Sequence, residues 1–120
     1  MTQPHADYDT IVVGGGPSGA TAAHELANKG HRVLLLERGF RIKPCGGAIP
    51  PCLLQEFTIP DHLVVARIRS ARMISPKGQS VDMPIDGTFV GMVDRDEFDP
   101  WLRQRASEAG ATVLPGVFKS

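Results

Sequence analysis

The residues with the clearest chemical meaning lie near the start of the chain, in the glycine-rich segment Gly14–Gly19, which has the sequence G-G-G-P-S-G. This spacing is typical of loops that bind dinucleotides. The first glycine permits a tight turn, the third lets a pyrophosphate approach the backbone, and the last allows a helix to pack closely. The N–H groups at the start of that helix would attract phosphate. The predicted dinucleotide-binding residues here are Gly14, Gly16, Pro17, Ser18 and Gly19.

An acid follows this segment at an informative distance. Glu37 stands 23 positions after Gly14, at the end of a second apolar run. An acid at this place accepts hydrogen bonds from the ribose of adenosine. Its charge would repel the 2′-phosphate of NADP, so FAD or NAD is the expected dinucleotide. The alternative is a plain glycine turn followed by a solvated strand end, and the order of the elements favours nucleotide binding.

Three elements would position these residues. The β-branched run Asp9–Val13 is typical of a buried strand in a parallel sheet. Pro17–Lys29 has helical character and ends at Gly30, and small residues on one face would let it lie close to a sheet. Arg32–Glu37 is a second strand, so residues 9–37 form a βαβ unit with parallel neighbouring strands. The small residues are Ala20, Ala23 and Ala27.

The middle of the chain has weaker patterns. Arg38–Pro51 contains glycines and prolines without a usable period and is predicted to be a long loop, which is often functional. Short strands are expected near residues 68–75, 80–85 and 88–93, with a turn at Ser75–Gly78. These strands would form a small antiparallel element.

A well-marked helix is predicted over Asp94–Ala109, because acidic residues occupy its first turn and Gly110 follows its end. Residues 111–114 predict another strand. The expected fold class is therefore α/β: a Rossmann-type domain whose parallel sheet uses the strands near residues 9, 32 and 111. The residues of the helix assigned to the core are Phe98, Trp101, Leu102 and Ala106.

Composition and charge argue against several classes of function. Thirteen Lys and Arg balance thirteen Asp and Glu, so a nucleic-acid surface has no electrostatic basis. There is no run of about 18 apolar residues and no signal peptide, which predicts a cytoplasmic protein without a membrane span. Cys45 and Cys52 lie seven positions apart and the four histidines are scattered, so no metal site is predicted.

Several segments resemble a known family. Tyr8–Gly19 looks like the opening of FAD enzymes related to p-hydroxybenzoate hydroxylase. The segment Arg41–Pro50, R-I-K-P-C-G-G-A-I-P, resembles the geranylgeranyl reductase branch and is the more discriminating match. Ala71–Pro76 and Gly91–Arg95 are similar to members of the chlorophyll pathway, so the resemblance extends over residues 7–118.

The resemblance implies two groups of FAD-binding residues. Gly19 and Glu37, with the adjacent Arg38, would hold the ADP half. The second group lines the path towards the flavin and consists of Cys45, Gly46 and Ala48.

Arg95 would contact the cofactor as well, since an arginine at a strand-to-helix junction offers forked donors to a pyrophosphate or ribityl oxygen. The alternative is an exposed residue at the start of a helix. Cys45 is a weaker, catalytic candidate: a thiol beside a flavin could take part in proton transfer, but a packing role is better supported. Cys52 is assigned to packing, and no other catalytic residue is predicted.

For the complete enzyme, the resemblance implies that NADPH reduces FAD and that the reduced flavin saturates the geranylgeranyl tail of chlorophyll, bacteriochlorophyll or geranylgeranyl diphosphate to phytyl. The tail suggests a peripheral contact with the photosynthetic membrane. Three alternatives remain: a flavin monooxygenase, an FAD-binding module without catalysis, and a reductase of archaeal lipid precursors. The resemblance also implies that residues 1–120 are the N-terminal part of the FAD-binding domain, without the substrate domain and inactive alone.

Overall fold

The computed structural model of the protein describes residues 6–39 and 43–120. Two compact units are present: the first comprises Met1–Ile42 and Phe98–Ser120, and the second comprises Lys43–Glu97. The elements, in chain order, are β1 Thr10–Val13, α1 Pro17–Asn28, β2 Val33–Glu37, β3 Ala48–Ile49, α2 Pro51–Glu56, a 3-10 turn Asp61–Leu63, β4 Val64–Ile68, β5 Ser70–Ile74, β6 Ser80–Pro84, β7 Val90–Val93, α3 Arg95–Glu108 and β8 Thr112–Pro115.

The first unit contains the predicted parallel sheet, in the order β1-β2-β8. Ile11 is paired with Leu34, and Leu34 with Thr112. The prediction of strands near residues 9, 32 and 111 and of an α/β fold is therefore confirmed. Parallel strands need a crossover, which α1 provides between β1 and β2.

The core of this unit depends on small residues of α1 and aliphatic residues of β2. Ala20 and Ala23 have no exposed surface, and Leu35 is equally buried. Because alanine lacks atoms beyond Cβ, the α1 backbone can lie close to the sheet. The buried apolar residues of the unit are Ala20, Ala23, Ala27, Val33, Leu35, Phe98, Leu102, Ala106 and Ala111.

The prediction that β1 is a buried strand is wrong for one of its faces. Ile11 and Val13 are 54% and 59% exposed, and Leu114 of β8 is exposed on the same face. The alternating burial of β1 shows that its other face is better covered. A β-branched run alone does not distinguish a strand covered on two faces from one covered on a single face.

The predicted helix at Asp94–Ala109 is confirmed as α3, with Gly110 at a positive φ of 113° beyond its end. Phe98, Leu102 and Ala106 are buried as predicted. Trp101 was assigned to the core but is only half-buried. Its indole ring lies 5.0 Å from the guanidinium of Arg105, a cation–π contact that suits a ring at the margin of a core.

An ion pair joins the segment before β1 to the start of β2. Arg32 donates from Nη2 to Asp9 Oδ1 at 2.8 Å, and its backbone N–H donates to Asp9 Oδ2 at 2.8 Å. These bonds from Arg32 lower the pKa of Asp9 to about 2. The pair lies at the strand start, whereas Gly14 and Glu37 lie at the carboxyl ends of β1 and β2.

The second unit contains two antiparallel sheets, β3-β7-β4 and β5-β6. The strand predicted near residues 68–75 is confirmed as β5, which begins at Ser70, whereas β4, which ends at Ile68, was not predicted. The long loop predicted over Arg38–Pro51 contains β3, while residues 40–42 lie outside the described residues. A two-residue strand carries no periodic signal, which explains why it was missed.

The β5-β6 hairpin is exposed on both faces. Its predicted turn is confirmed: the Gly78 N–H donates to the Ser75 carbonyl at 2.9 Å, and Gly78 has a φ of 80°. Arg72 and Asp82 face each other across the strands with an Nε–Oδ1 distance of 2.6 Å. A cross-strand pair and a glycine turn therefore hold the hairpin in register.

Among the described residues, none of the helices has the length and apolar character needed to cross a membrane. The same residues contain no group of three or more His, Cys, Asp and Glu side chains placed to hold a metal ion.

Candidate functional site

The glycine-rich segment forms a turn between β1 and α1 in the first unit. Gly14 has a φ of 104°, a conformation that favours glycine. Its N–H donates to the carbonyl oxygen of Leu36 at 2.7 Å. This bond holds the start of the turn against the end of β2.

Gly19 allows α1 to pack against this turn. A Cβ placed on Gly19 would overlap the carbonyl oxygen of Gly14 and would lie 3.4 Å from Val12 Cγ1. Backbone cannot yield as a flexible side chain can, so any larger residue must displace the turn or the helix. The sequence-based role of this glycine in close helix packing is thus visible in the structure.

Gly16 is the N-cap of α1, and no side chain caps the helix there. A Cβ at Gly16 would meet nothing within 4 Å. Pro17 occupies the first turn, where its missing N–H costs little, and Ser18 is exposed. The N-terminus of α1 therefore combines backbone donors, a partial positive charge and open space beside Gly16.

The carboxylate of Glu37 is held at the end of β2 by two backbone donors. Its Oε2 accepts a hydrogen bond from the Gly15 N–H at 2.6 Å, and its Oε1 accepts one from the Gly39 N–H at 3.2 Å. Each carboxylate oxygen has more than one acceptor position, so ribose hydroxyls can still be bound. Arg38 lies next to Glu37 and is exposed.

One residue of this site was not found from the sequence. Arg103 of α3 donates from Nη1 to the carbonyl oxygen of Gly15 at 2.9 Å, across 88 positions of the chain. No spacing rule joins a helix near the end of the chain to a glycine turn near its start. Only the tertiary fold brings Arg103 to the turn.

The other predicted residues, Cys45, Gly46, Ala48 and Arg95, lie in the second unit. Ala48 pairs with Met92 between β3 and β7, and Val93 donates its N–H to the Gly47 carbonyl at 2.9 Å. The segment that carries Cys45 therefore lies beside the end of β7, close to the start of α3.

Within that segment, the Gly47 N–H donates to the Cys45 Sγ at 3.5 Å. A Cβ on Gly47 would overlap the Val93 carbonyl oxygen, so a glycine is needed for the close approach. Cys45 and Cys52 are exposed and form no disulfide, so the prediction that Cys52 is a packing residue is wrong. Arg95 is the first residue of α3 and is half-buried.

The site in the first unit fits the ADP half of a dinucleotide. It offers the amino end of α1 for a pyrophosphate, open space at Gly16 for its approach, and the oriented Glu37 carboxylate for ribose hydroxyls. The site lies at the carboxyl ends of parallel strands, where α/β folds bind ligands. The fold and site thus define a Rossmann-type dinucleotide-binding protein.

Comparison with known proteins agrees with this class and narrows it. Residues 12–50 match the family model of the NAD(P)-binding Rossmann-like domain. The chain is 62% identical over 111 residues to geranylgeranyl diphosphate reductase from Rhodobacter capsulatus, a match that covers 92% of this chain and 28% of that protein. The chain belongs to the geranylgeranyl reductase family and spans about a quarter of that relative's length.

Two solved structures have a fold similar to that of this chain. A geranylgeranyl bacteriochlorophyll reductase-like protein from Thermoplasma acidophilum superposes with a TM-score of 0.80 at 29% identity, covering 94% of this chain and 32% of that chain. The myxobacterial chondrochloren halogenase CndH, described as an FAD-dependent halogenase, superposes with a TM-score of 0.70 at 26% identity, covering 90% and 28% of the two chains.

Proposed function

We propose that the protein is an FAD-dependent geranylgeranyl reductase that uses NADPH to reduce the geranylgeranyl tail of chlorophyll, bacteriochlorophyll or geranylgeranyl diphosphate to phytyl. The observation that carries this proposal is the 62% identity to a geranylgeranyl diphosphate reductase over almost the whole chain. The Gly14–Gly19 turn and the oriented Glu37 carboxylate support binding of the cofactor.

In this proposal the first unit binds the ADP half of FAD. The Gly16 N–H and the N-terminal amides of α1 donate to the pyrophosphate, and Gly14 and Gly19 keep the turn compact. Glu37 accepts hydrogen bonds from the ribose. The carboxylate is positioned in advance by Gly15 and Gly39, so little ordering entropy is lost when the nucleotide binds.

The residues assigned to the flavin side come from the second unit. Cys45, Gly46 and Ala48 would line the path to the flavin, and Arg95 would donate to a pyrophosphate or ribityl oxygen. Bound FAD would supply the redox chemistry, accepting electrons from the nicotinamide and delivering them to a carbon–carbon double bond. The residues of this chain would bind and orient the cofactor.

We further propose that residues 1–120 form the N-terminal part of an FAD-binding domain and that the substrate cavity belongs to a separate domain of the full-length enzyme. The chain spans only 28% of the Rhodobacter relative. An isoprenoid tail is apolar and long, so the substrate domain would need a large apolar cavity. A peripheral membrane contact at the photosynthetic membrane would give access to such a substrate.

The test is mass spectrometry of pigments and diphosphates after incubation of the full-length protein with FAD, NADPH and a geranylgeranyl substrate. Three substrates are compared: geranylgeranyl-chlorophyll, geranylgeranyl-bacteriochlorophyll and geranylgeranyl diphosphate. A stepwise gain of hydrogen in the tail is expected, and parallel reactions with NADH in place of NADPH identify the reductant.

Two results would contradict the proposal. Consumption of NADPH and oxygen in the presence of bound FAD, without hydrogen gain in any tail, would indicate a flavin monooxygenase. Bound FAD that NADPH and NADH both fail to reduce would indicate a binding module. A Glu37→Ala variant is the control that links activity to FAD binding. Its activity should be lower than that of the wild type and should be restored in part by excess FAD.

A further inference from the structure

Arg103 contacts the glycine turn in two ways. Its Nη1 donates to the Gly15 carbonyl oxygen at 2.9 Å. Its side-chain stem also covers Gly15, since a Cβ on Gly15 would lie 3.1 Å from Arg103 Cδ. Arg103 is half-buried and Gly15 is buried, so this charged hydrogen bond is partly shielded from water.

The bond controls the direction of the next amide in the chain. The Gly15 carbonyl and the Gly16 N–H belong to one peptide plane, and the described residues contain no cis peptide bond. In a trans peptide the carbonyl and the N–H point in opposite directions. Because Arg103 holds the carbonyl oxygen, the Gly16 N–H points away from Arg103.

The other side of Gly15 is held as well. Its N–H donates to Glu37 Oε2 at 2.6 Å, so side chains bind both the N–H and the carbonyl of this glycine. Glycine has more backbone freedom than any other residue, and two such bonds restrict that freedom. At Gly16, by contrast, a Cβ would meet nothing within 4 Å, which leaves room for a ligand.

We propose that Arg103 is a positioning residue of the dinucleotide site. It orients the Gly15–Gly16 peptide so that the Gly16 N–H faces the pyrophosphate before the nucleotide arrives. The inference rests on the proposed binding of FAD. Arg103 acts through the turn and does not itself contact the cofactor, so its loss weakens pyrophosphate binding and spares recognition of the adenosine.

The test compares three variants of the full-length protein after removal of bound flavin. Arg103→Met keeps the apolar stem and removes the donor, and Arg103→Lys keeps one charged donor. Arg105→Met is the matched control on the same helix, because Arg105 stacks on Trp101. Flavin fluorescence measures FAD affinity, and titration calorimetry measures affinity for ADP and for adenosine.

Arg103→Met is expected to weaken binding of FAD and ADP by about tenfold, because the Gly15–Gly16 peptide is then no longer held in the orientation that binds the pyrophosphate. Adenosine lacks the pyrophosphate and should bind as to the wild type. Arg103→Lys should recover part of the loss. Arg105→Met should lower the melting temperature and leave the ratio of ADP to adenosine affinity unchanged. If Arg103→Met acted only through a general loss of structure, it would leave that ratio unchanged as well.

Wild-type affinity of Arg103→Met for ADP, or an equal loss of ADP and adenosine binding, would overturn the inference and leave the proposed function intact. A wild-type protein that binds neither FAD nor ADP would overturn both. A wild-type protein that binds FAD but leaves every geranylgeranyl tail unreduced would overturn the proposed function. The role of Arg103 would then still be decided by the FAD, ADP and adenosine affinities of its variants.

Discussion

The first and second units differ in how their strands are buried. In the first unit, Val33 and Leu35 of β2 are 1% and 0% exposed. In the second unit, every residue of β5 and β6 is exposed. Burial on at least one face requires aliphatic side chains in a regular pattern, whereas an exposed hairpin needs only a turn and cross-strand pairs. The strands of the first unit are therefore easier to predict than those of the second.

The two units also differ in how they hold their candidate site residues. In the first unit, Gly15, Glu37 and Arg103 form a chain of hydrogen bonds that links β2, the glycine turn and α3. In the second unit, Cys45 is exposed and accepts a long hydrogen bond from the Gly47 N–H at 3.5 Å. We infer that the ADP-binding geometry is set in the first unit before the cofactor binds.

The largest expected effect comes from substituting one glycine in each unit at which an added Cβ would overlap a backbone carbonyl oxygen. Gly19→Ala should lower the free energy of unfolding of the first unit by about 1–3 kcal/mol, and Gly47→Ala that of the second unit by a similar amount, because each methyl group would overlap backbone. Gly19→Ala should also lose FAD. Hydrogen exchange followed by mass spectrometry measures the opening of each unit separately.

Gly46→Ala is the control for stability, since a Cβ there would meet nothing within 4 Å. If Gly19→Ala and Gly47→Ala both increased exchange in the two units equally, the units would unfold together and the comparison between them would fail.

The next effect concerns Glu37. Glu37→Ala removes the acceptor for ribose and for the Gly15 N–H, and should weaken FAD binding by about 10- to 100-fold. Glu37→Gln should lose less, because its amide oxygen still accepts from Gly15. Fluorescence titration of the flavin-free protein gives the dissociation constants. Unchanged affinity in Glu37→Ala would remove this residue from the site.

A smaller effect is expected in the second unit. Arg95→Ala should weaken FAD binding by about tenfold through loss of one charged contact. Cys45→Ser should retain the turnover of the wild type, since a hydroxyl can accept the Gly47 N–H as the thiol does. The paired assays are FAD titration and pigment reduction. Full FAD affinity in Arg95→Ala, or loss of turnover in Cys45→Ser, would reverse the roles assigned to these residues.

The smallest expected effect is electrostatic and concerns one exposed ion pair in each unit. The pKa of Asp9 is lowered to about 2 by its bonds with Arg32, and the Arg72 side chain also lowers the pKa of Asp82. A carboxyl whose pKa is lower in the folded state stabilises the fold above its unfolded pKa. That stabilisation is lost as the pH falls through the folded pKa.

The melting temperature of the wild type should therefore exceed that of Asp9→Asn at neutral pH. The difference should disappear as the pH falls from about 4 to about 2, the interval between the unfolded and folded pKa values. Asp82→Asn should show the same direction of change. High salt should reduce both differences, because these pairs are exposed. A difference that grows on acidification would contradict this account.

Much of the first unit could be predicted from its sequence. The glycine spacing, the alanines of α1 and the acid at the end of β2 are local signals, because each follows from backbone geometry within one βαβ unit. The helix α3 was equally clear from its acidic first turn and Gly110. In the second unit, β3 was missed because a two-residue strand carries no period, and β4 was missed because the break between Ile68 and Ser70 leaves no turn signal that separates it from β5.

By itself, the sequence determined the βαβ unit, the identity of the turn glycines and the place of Glu37, since these depend on residues near one another in the chain. Only the tertiary structure decided that Ile11 and Val13 are exposed, that Glu37 binds the Gly15 N–H, and that Arg103 binds the Gly15 carbonyl. The physical reason is that burial and long-range hydrogen bonds depend on which elements come to lie together, and no local period records that arrangement.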